Sequence, residues 1–149
     1  MYERILAPID GSPTSERGLR EAIALAAKLQ SKLVLLNVVD DYPTMVELAP
    51  VTAFNETREL LVKYGTQVLE AARKHVAEAG VPCETVLREV TSQRTADAIV
   101  EEAVKQRCGL IVMGTHGRRG INRVAMGSDA ELVLRLASIP VLLVRSSKA

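Results

Sequence analysis

Apolar residues fall into five short runs, separated by longer segments in which apolar positions recur every three or four residues. Several runs are nearly continuously apolar, as in parallel strands that are covered on both faces. The run at 84–90 instead alternates apolar and polar residues, which suits a strand at the edge of a sheet. The predicted strands comprise residues 4–9, 32–39, 83–90, 109–114 and 140–145. The pattern therefore predicts a mostly parallel sheet.

Four segments between these runs are predicted helices. The first follows Ser12, a common N-cap residue, and places Pro13 at the first helical position. Two others cover residues 92–107 and 128–138. The longest covers about residues 54–79, and its predicted packed stripe comprises Leu61, Tyr64, Val68, Ala72, His75 and Ala79.

Strands that alternate with helices at these lengths predict right-handed βαβ crossovers. The expected fold is therefore a doubly wound α/β sandwich. Residues 40–52 form the one long irregular connection. Such a segment can be a lid or binding loop, or simply a variable surface loop, and both interpretations stay open.

Composition narrows the class of protein. A chain of 149 residues with 48% hydrophobic content fits one domain, residues 1–149. The net charge of +1 provides no overall field that would attract nucleic acid or an anionic membrane. The N-terminus mixes charges with a short apolar run, and no apolar stretch approaches the ~18 residues of a membrane span. We therefore expect a cytoplasmic protein.

The two cysteines, Cys83 and Cys108, lack CxxC spacing and a nearby metal-ligand partner. We interpret them as free, buried or half-buried thiols.

Candidate ligand-binding residues follow the strands. In open α/β sheets, ligands bind beyond the carboxyl ends of the strands, where the strand order reverses. Pro8 cannot donate a ladder hydrogen bond, so the pairing of the first strand is expected to end there. The ends that could meet a ligand are therefore residues 8–10, residues 38–40 and the segment that begins at Gly114.

The segment 113–128, MGTHGRRGINRVAMGS, combines glycines with positive charge just before a predicted helix. Gly127 and Ser128 lie at that helix N-terminus, where unpaired N–H groups attract a phosphate. Gly114 and Gly117 would let a ligand approach the backbone closely. The cations available to phosphates are Arg118, Arg119 and Arg123. Alternatively, the glycines only shape a loop and the arginines only solvate it.

Neither GxxxxGK(S/T) nor GxGxxG occurs in the chain, so the usual signatures of P-loop NTPases and dinucleotide-binding proteins are missing. The spacing present is Gly114-x2-Gly117-x9-Gly127-Ser128. With ILAPIDGS and LVLLNVV near the start, LIVMGTHGRRG in the middle and MGSDAELVLRLASIPVLLVR at the end, the chain resembles the ATP-binding branch of the universal stress protein family.

This resemblance implies a Rossmann-like, five-stranded parallel sheet of order 3-2-1-4-5. It also implies that ATP or AMP binds, with Mg²⁺ or Mn²⁺ on the phosphates, and that two copies form a homodimer through residues 140–145. Asp10 and Val38 would hold the adenine, and Gly117, Arg118, Gly127 and Ser128 would surround the phosphates. The implied binding residues are Pro8, Ile9, Asp10, Val38, Met113, Gly114, Thr115, Gly117, Arg118, Gly127 and Ser128.

The leading hypothesis is an adenine-nucleotide-binding regulatory protein of the stress response, and not an enzyme beyond a weak ATPase. The alternatives are a slow ATP hydrolase and a dimeric interaction protein that needs no nucleotide. His116 is interpreted as a hydrogen-bonded loop residue, because no motif provides it with a catalytic partner. Asp129 stands where the family usually has an aliphatic residue. Its carboxylate would repel phosphates unless it points away or meets a metal ion.

Overall fold

The computed structural model describes residues 1–40, 51–116 and 126–146. Strands and helices alternate along the chain, as the hydrophobic pattern predicts. In chain order the elements are β1 (Arg4–Pro8), α1 (Pro13–Leu29), β2 (Lys32–Asp40), α2 (Val51–Glu78), β3 (Cys83–Val90), α3 (Thr95–Lys105), β4 (Leu110–Gly114), α4 (Ser128–Leu136) and β5 (Val141–Val144).

The five strands form one sheet in the order β3-β2-β1-β4-β5, and every neighbouring pair is parallel. The central strand is β1, in which Ile5 is in register with Leu33 of β2 and Leu110 of β4. The strand order reverses between β1 and β4, so the switch point lies beyond their carboxyl ends. The predicted fold class and strand order are confirmed.

Two hydrophobic layers cover the sheet, because successive residues of a strand point to opposite faces. On one face, Ile5 and Leu35 belong to a buried cluster with side chains of α1 and α2. On the other, Leu6 and Leu36 belong to a cluster with side chains of α3 and α4. The chain is thus a three-layer sandwich, and both edges of the central strand are enclosed by neighbouring strands.

The packed face of α2 differs from the predicted stripe. Leu69, Ala72 and Val76 are buried, whereas the side chain of His75 is 71% exposed. The interpretation of His75 as a packed residue is therefore wrong. Apolar residues are so dense in this helix that two adjacent stripes satisfy the helical period, and only packing against the sheet selects one of them.

The bounds of α2 also differ from the prediction. The helix begins at Val51 and not near residue 54, so it includes the end of the segment predicted to be irregular. The rest of that segment, residues 41–50, lies outside the described residues. None of the described helices is long and apolar enough to cross a lipid bilayer.

Candidate functional site

Two hydrogen bonds, one in each direction, join the carboxyl end of β1 to its neighbour β2. The amide of Ile9 donates to the carbonyl of Leu36 over 2.8 Å. The side chain of Asn37 donates through Nδ2 to the carbonyl of Ile9 over 2.9 Å, and Asn37 is only 5% exposed. Both backbone polar groups of the residue after Pro8 are thus satisfied. Sequence reasoning missed Asn37, although a polar residue within the apolar run LVLLNVV was a visible signal.

Asp10 lies in a tight turn that leads from β1 into α1. Its Oδ1 accepts from the amide of Ser12 over 2.9 Å, and its own amide donates to Oγ of Ser15 over 3.0 Å. Between them, Gly11 has φ +83°, a conformation that favours glycine. Asp10 therefore has a structural role in the turn, as is common for Asp before Gly, and it is half-buried at the carboxyl edge of the sheet.

The end of β4 packs directly against the first turns of α1. A Cβ on Gly114 would lie 2.6 Å from the carbonyl oxygen of Thr14, and one on Gly18 would lie 2.9 Å from the amide nitrogen of Gly114. Gly114 is thus needed for helix–strand contact, a reason that the sequence alone did not reveal. Its neighbours Met113 and Thr115 are 7% and 8% exposed.

The start of α4 meets the same strand end. The amide of Gly127 donates to the carbonyl of Thr115 over 2.7 Å, and the first hydrogen bond within the helix joins the Glu131 amide to the Gly127 carbonyl. Gly127 is the N-cap and provides no side-chain cap. The amides of Ser128 and Ala130 precede the first intrahelical bond, so this helix end has donor groups that suit an anion.

Acidic side chains also lie in the first turn of α4. Asp129 and Glu131 are both exposed, and Glu131 pairs with Arg135 over 2.9 Å. Carboxylates at this position suit the positive end of the helix dipole, and they also lower the electrostatic attraction for a phosphate.

Contacts bring the ends of β1 and β4 and the start of α4 together at the carboxyl edge of the sheet. The turn at Asp10 leads into α1, whose Thr14 lies against Gly114. One residue further, Thr115 accepts the hydrogen bond from Gly127. The candidate residues around β1, β4 and α4, which are far apart in sequence, are therefore neighbours in space.

The other predicted site residues differ in what the structure describes. Val38 lies near the carboxyl end of β2, where it is half-buried against the cluster beneath α3 and α4. Gly117 and Arg118 lie outside the described residues, as do Arg119 and Arg123. The predicted contribution of these four residues to a phosphate site stays a prediction.

His116 follows the end of β4 and lies beside Thr115. Nδ1 of His116 lies 3.0 Å from Oγ1 of Thr115, consistent with a hydrogen-bonded loop residue. Within residues 1–40, 51–116 and 126–146, no three His, Cys, Asp or Glu side chains group as a metal site.

The cysteines lie away from this edge. Both are free thiols, half-buried at Cys83 and buried at Cys108. Burial raises the pKa of both, and that of Cys108 to about 11. They are therefore protonated thiols at neutral pH, which agrees with their structural interpretation.

A cavity of about 420 Å³ lies between α1 and α2. Of the predicted binding residues that the structure describes, only Ile9 lines it, and it opens on the sheet face opposite to Val38. Its apolar lining includes Leu19, Ile23 and Val68. We assign the candidate site to the carboxyl edge, because the backbone donors and the strand switch point are there.

Residues 1–145 match the model of the universal stress protein family. The chain belongs to this family. The universal stress protein MJ0531 of Methanocaldococcus jannaschii is 36% identical over 148 residues, which cover 99% of this chain and 85% of the relative. The universal stress protein YxiE of Bacillus subtilis is 32% identical over 151 residues, which cover 97% and 100%.

Solved structures of the family share the fold. That of the Methanocaldococcus jannaschii protein MJ0577 has a TM-score of 0.87 at 27% identity and covers 100% of this chain and 99% of the other. Three more distant structures contain nucleotides. They are a universal stress protein with cAMP (24% identity, TM-score 0.67, coverage 98% and 98%), an Arabidopsis thaliana protein with AMP (18%, 0.68, 97% and 92%) and an Archaeoglobus fulgidus protein with dAMP (22%, 0.68, 95% and 97%).

Proposed function

We propose that this universal stress protein binds an adenine nucleotide, ATP or AMP, at the carboxyl edge of the sheet and acts as a regulatory protein of the stress response. The observation that carries the proposal is the N-terminus of α4, which has no side-chain cap and contacts the end of β4 beside the Asp10 turn. The family members with cAMP, AMP and dAMP support an adenine nucleotide as the ligand class.

The proposed site extends along the carboxyl edge of the sheet, from the adenine position at one end to the phosphate position at the other. Residues at the ends of β1 and β2 hold the adenine, those at the end of β4 lie near the ribose, and the remaining four surround the phosphates. In chain order they are Pro8, Ile9, Asp10, Val38, Met113, Gly114, Thr115, Gly117, Arg118, Gly127 and Ser128. The N-terminal amides of α4 and the missing side chain of Gly127 fit a phosphate group.

A divalent ion, Mg²⁺ or Mn²⁺, would take its ligands mainly from phosphate oxygens and water, as such ions do in nucleotide sites. The hydroxyl of Ser128, itself a proposed phosphate residue, and the carboxylate of Asp129 are both exposed in the first turn of α4 and could provide oxygen ligands. The proposal therefore needs no dedicated cluster of protein ligands.

The decisive experiment identifies nucleotide that copurifies with the protein. Freshly purified protein is denatured, and the released small molecules are analysed by mass spectrometry, while calorimetry measures the binding of ATP and AMP to the stripped protein. We expect an adenine nucleotide in the first measurement and saturable binding in the second. A protein that is empty and also binds neither nucleotide would overturn the proposal and favour the nucleotide-independent interaction protein.

Measurement of ATP turnover by the same purified protein distinguishes a binding protein from a hydrolase. If ATP turnover is detected and falls in Ser128→Ala in parallel with ATP affinity, the slow hydrolase is the better description. Turnover that is unchanged in a variant with weakened binding would come from a contaminating enzyme.

The proposed regulatory unit is a homodimer formed through residues 140–145. The two edges of the sheet differ in their protection. On β3, Glu84 and Glu89 form ion pairs with Lys32 and Arg58. On β5, the apolar sequence VLLV leaves Leu142 36% exposed. Charged side chains discourage strand pairing at an edge, so β5 is the edge that suits a second copy.

Size-exclusion chromatography with light scattering tests the dimer. Leu142→Lys places a charge on β5 and is expected to give monomers, whereas Thr85→Lys makes the matched change on β3 and should leave the dimer intact. A monomeric natural protein, or a dimer lost only in Thr85→Lys, would contradict this interface. The expected cytoplasmic location stays a prediction.

A further inference from the structure

Asn37 is a buried polar residue within an otherwise apolar strand. It is 5% exposed, and its Nδ2 donates to the carbonyl of Ile9 over 2.9 Å. A buried amide is unfavourable unless its groups are hydrogen-bonded, so an apolar residue at this position would be the simpler way to fill the core. The bond that Asn37 makes therefore calls for an explanation in terms of what Ile9 does.

Ile9 is the residue immediately before the Asp10 turn. Its amide donates to Leu36 and its carbonyl accepts from Asn37, so β2 holds both of its backbone groups. The amide of Asp10 is then held by Ser15, and the hydroxyl of Tyr64 in α2 lies 3.4 Å from the Asp10 carbonyl. The segment that presents Asp10 to the proposed adenine position is thus fixed from three elements.

Helix α2 contains a glycine where it approaches Asn37. A Cβ on Gly65 would collide with Oδ1 of Asn37 and would lie 3.1 Å from Cδ1 of Leu87. Glycine in a helix interior is destabilising relative to alanine, and Gly65 has an ordinary helical conformation with no positive φ. Gly65 therefore stabilises the structure at this position because it leaves space for the Asn37 side chain.

We infer that Asn37 and Gly65 form a positioning pair that holds the Ile9–Asp10 segment in the conformation that binds the adenine. This inference rests on the proposed function and extends it to two residues beneath the site. Neither residue touches the nucleotide. Asn37 acts through the Ile9 carbonyl, and Gly65 acts by keeping Asn37 in place. Preorganised binding groups need such support, because a displaced turn must be reordered when the ligand binds.

The test is a double-mutant cycle in ATP affinity. Asn37→Ala removes the bond to Ile9, and Gly65→Ala pushes the Asn37 side chain away from it. Each variant is expected to bind ATP about tenfold more weakly, the size of one lost hydrogen bond that orders a binding group. In the double variant the added Cβ of residue 65 has room, so its affinity should equal that of Asn37→Ala and not fall further.

Val76→Ala is the matched control, since Val76 is fully buried in the same helix and in the same hydrophobic cluster as Ile9. It should lower the melting temperature and leave the dissociation constant for ATP unchanged at a temperature where all variants are folded. Equal losses of affinity in Val76→Ala and Asn37→Ala would overturn the inference, as would fully additive losses in the cycle.

Hydrogen exchange provides a second measurement that needs no nucleotide. The amides of residues 9–12 should exchange faster in Asn37→Ala and in Gly65→Ala than in the natural protein, and Val76→Ala should leave their relative protection unchanged. If the natural protein binds no nucleotide, the proposed function fails while this measurement still tests the pair. If it binds ATP and the Asn37 and Gly65 variants bind it equally well, the positioning inference fails and the proposed function stands.

Discussion

Helices α1 and α4 both begin at the carboxyl edge of the sheet, but their N-termini are completed in different ways. The N-terminus of α1 is capped by Ser12, whose Oγ accepts a hydrogen bond from the Ser15 amide over 3.1 Å. The first helical residue is Pro13, which has no N–H group. The N-terminus of α4 has Gly127 as its N-cap, a residue with no side chain to accept from the following amides. One helix end is satisfied by its own chain, and the other has donor groups for an anion.

The two helix N-termini therefore have different proposed roles at the carboxyl edge of the sheet. The capped end of α1 fixes the turn that carries Asp10, because the cap and the turn share Ser12 and Ser15. At the N-terminus of α4 the cap residue has no side chain that could occupy the amides, as in anion sites at helix N-termini. A phosphate is therefore expected at α4 and not at α1, although both helices point the positive ends of their dipoles at the same edge.

The largest expected effect is a difference in stability between two glycine substitutions, one beside the N-terminus of α1 and one at the N-terminus of α4, because the two sites differ in packing. Gly114→Ala would place a Cβ within 2.9 Å of three atoms of Thr14 in α1, two of them in the backbone, and should destabilise the protein by about 1–3 kcal/mol. Gly127→Ala would meet the Thr115 carbonyl oxygen at 2.9 Å and should cost about 1 kcal/mol, at the low end of that range. Urea unfolding of both variants measures the difference. Equal losses would mean that α1 is not the more tightly packed end.

Serine substitutions at the two helix N-termini are expected to have effects of intermediate size, one on thermal stability and the other on ATP affinity. Ser12→Ala removes the cap of α1 and should lower stability by about 1 kcal/mol, or about 2–4 °C in Tm. Ser128→Ala should leave Tm nearly unchanged and weaken ATP binding by about 1.5 kcal/mol, roughly tenfold, because it removes one hydrogen bond to a charged group. Thermal unfolding and calorimetry on the same samples provide both numbers. A stability loss only in Ser128→Ala would reverse the assignment of cap and anion site.

The smallest expected effect concerns the charge at the start of α4. Asp129→Asn removes a carboxylate from the first turn and should destabilise the helix by about 0.3–1 kcal/mol, while ATP binding strengthens severalfold at low salt and less at high salt. Glu131→Gln is the control, since it removes a carboxylate from the same first turn at a position further from Ser128. If Asp129→Asn weakens binding only when Mg²⁺ is present, the carboxylate holds the metal ion and does not oppose the phosphates.

Local sequence signals were sufficient for much of the fold. The apolar runs, the Ser12-Pro13 helix start and the alternating edge strand β3 each depend on neighbours along the chain, so they can be read without the folded structure. The rule for open α/β sheets and the glycine spacing predicted a candidate site at the ends of β1 and β4, and the structure brings these two ends together. The strand order required the resemblance to a family, because parallel strands pair with segments that are remote in sequence.

The contacts between elements became visible only in the folded chain. It showed that Gly114 makes room for Thr14, that Asn37 holds Ile9, and that α2 packs through Val76 and not through His75. The positions of the strands, helices and turns could be predicted from the chain alone, since they follow from local periodicity and caps. Which atoms of those segments touch depends on the close packing of side chains from distant parts of the chain, and no local pattern specifies it.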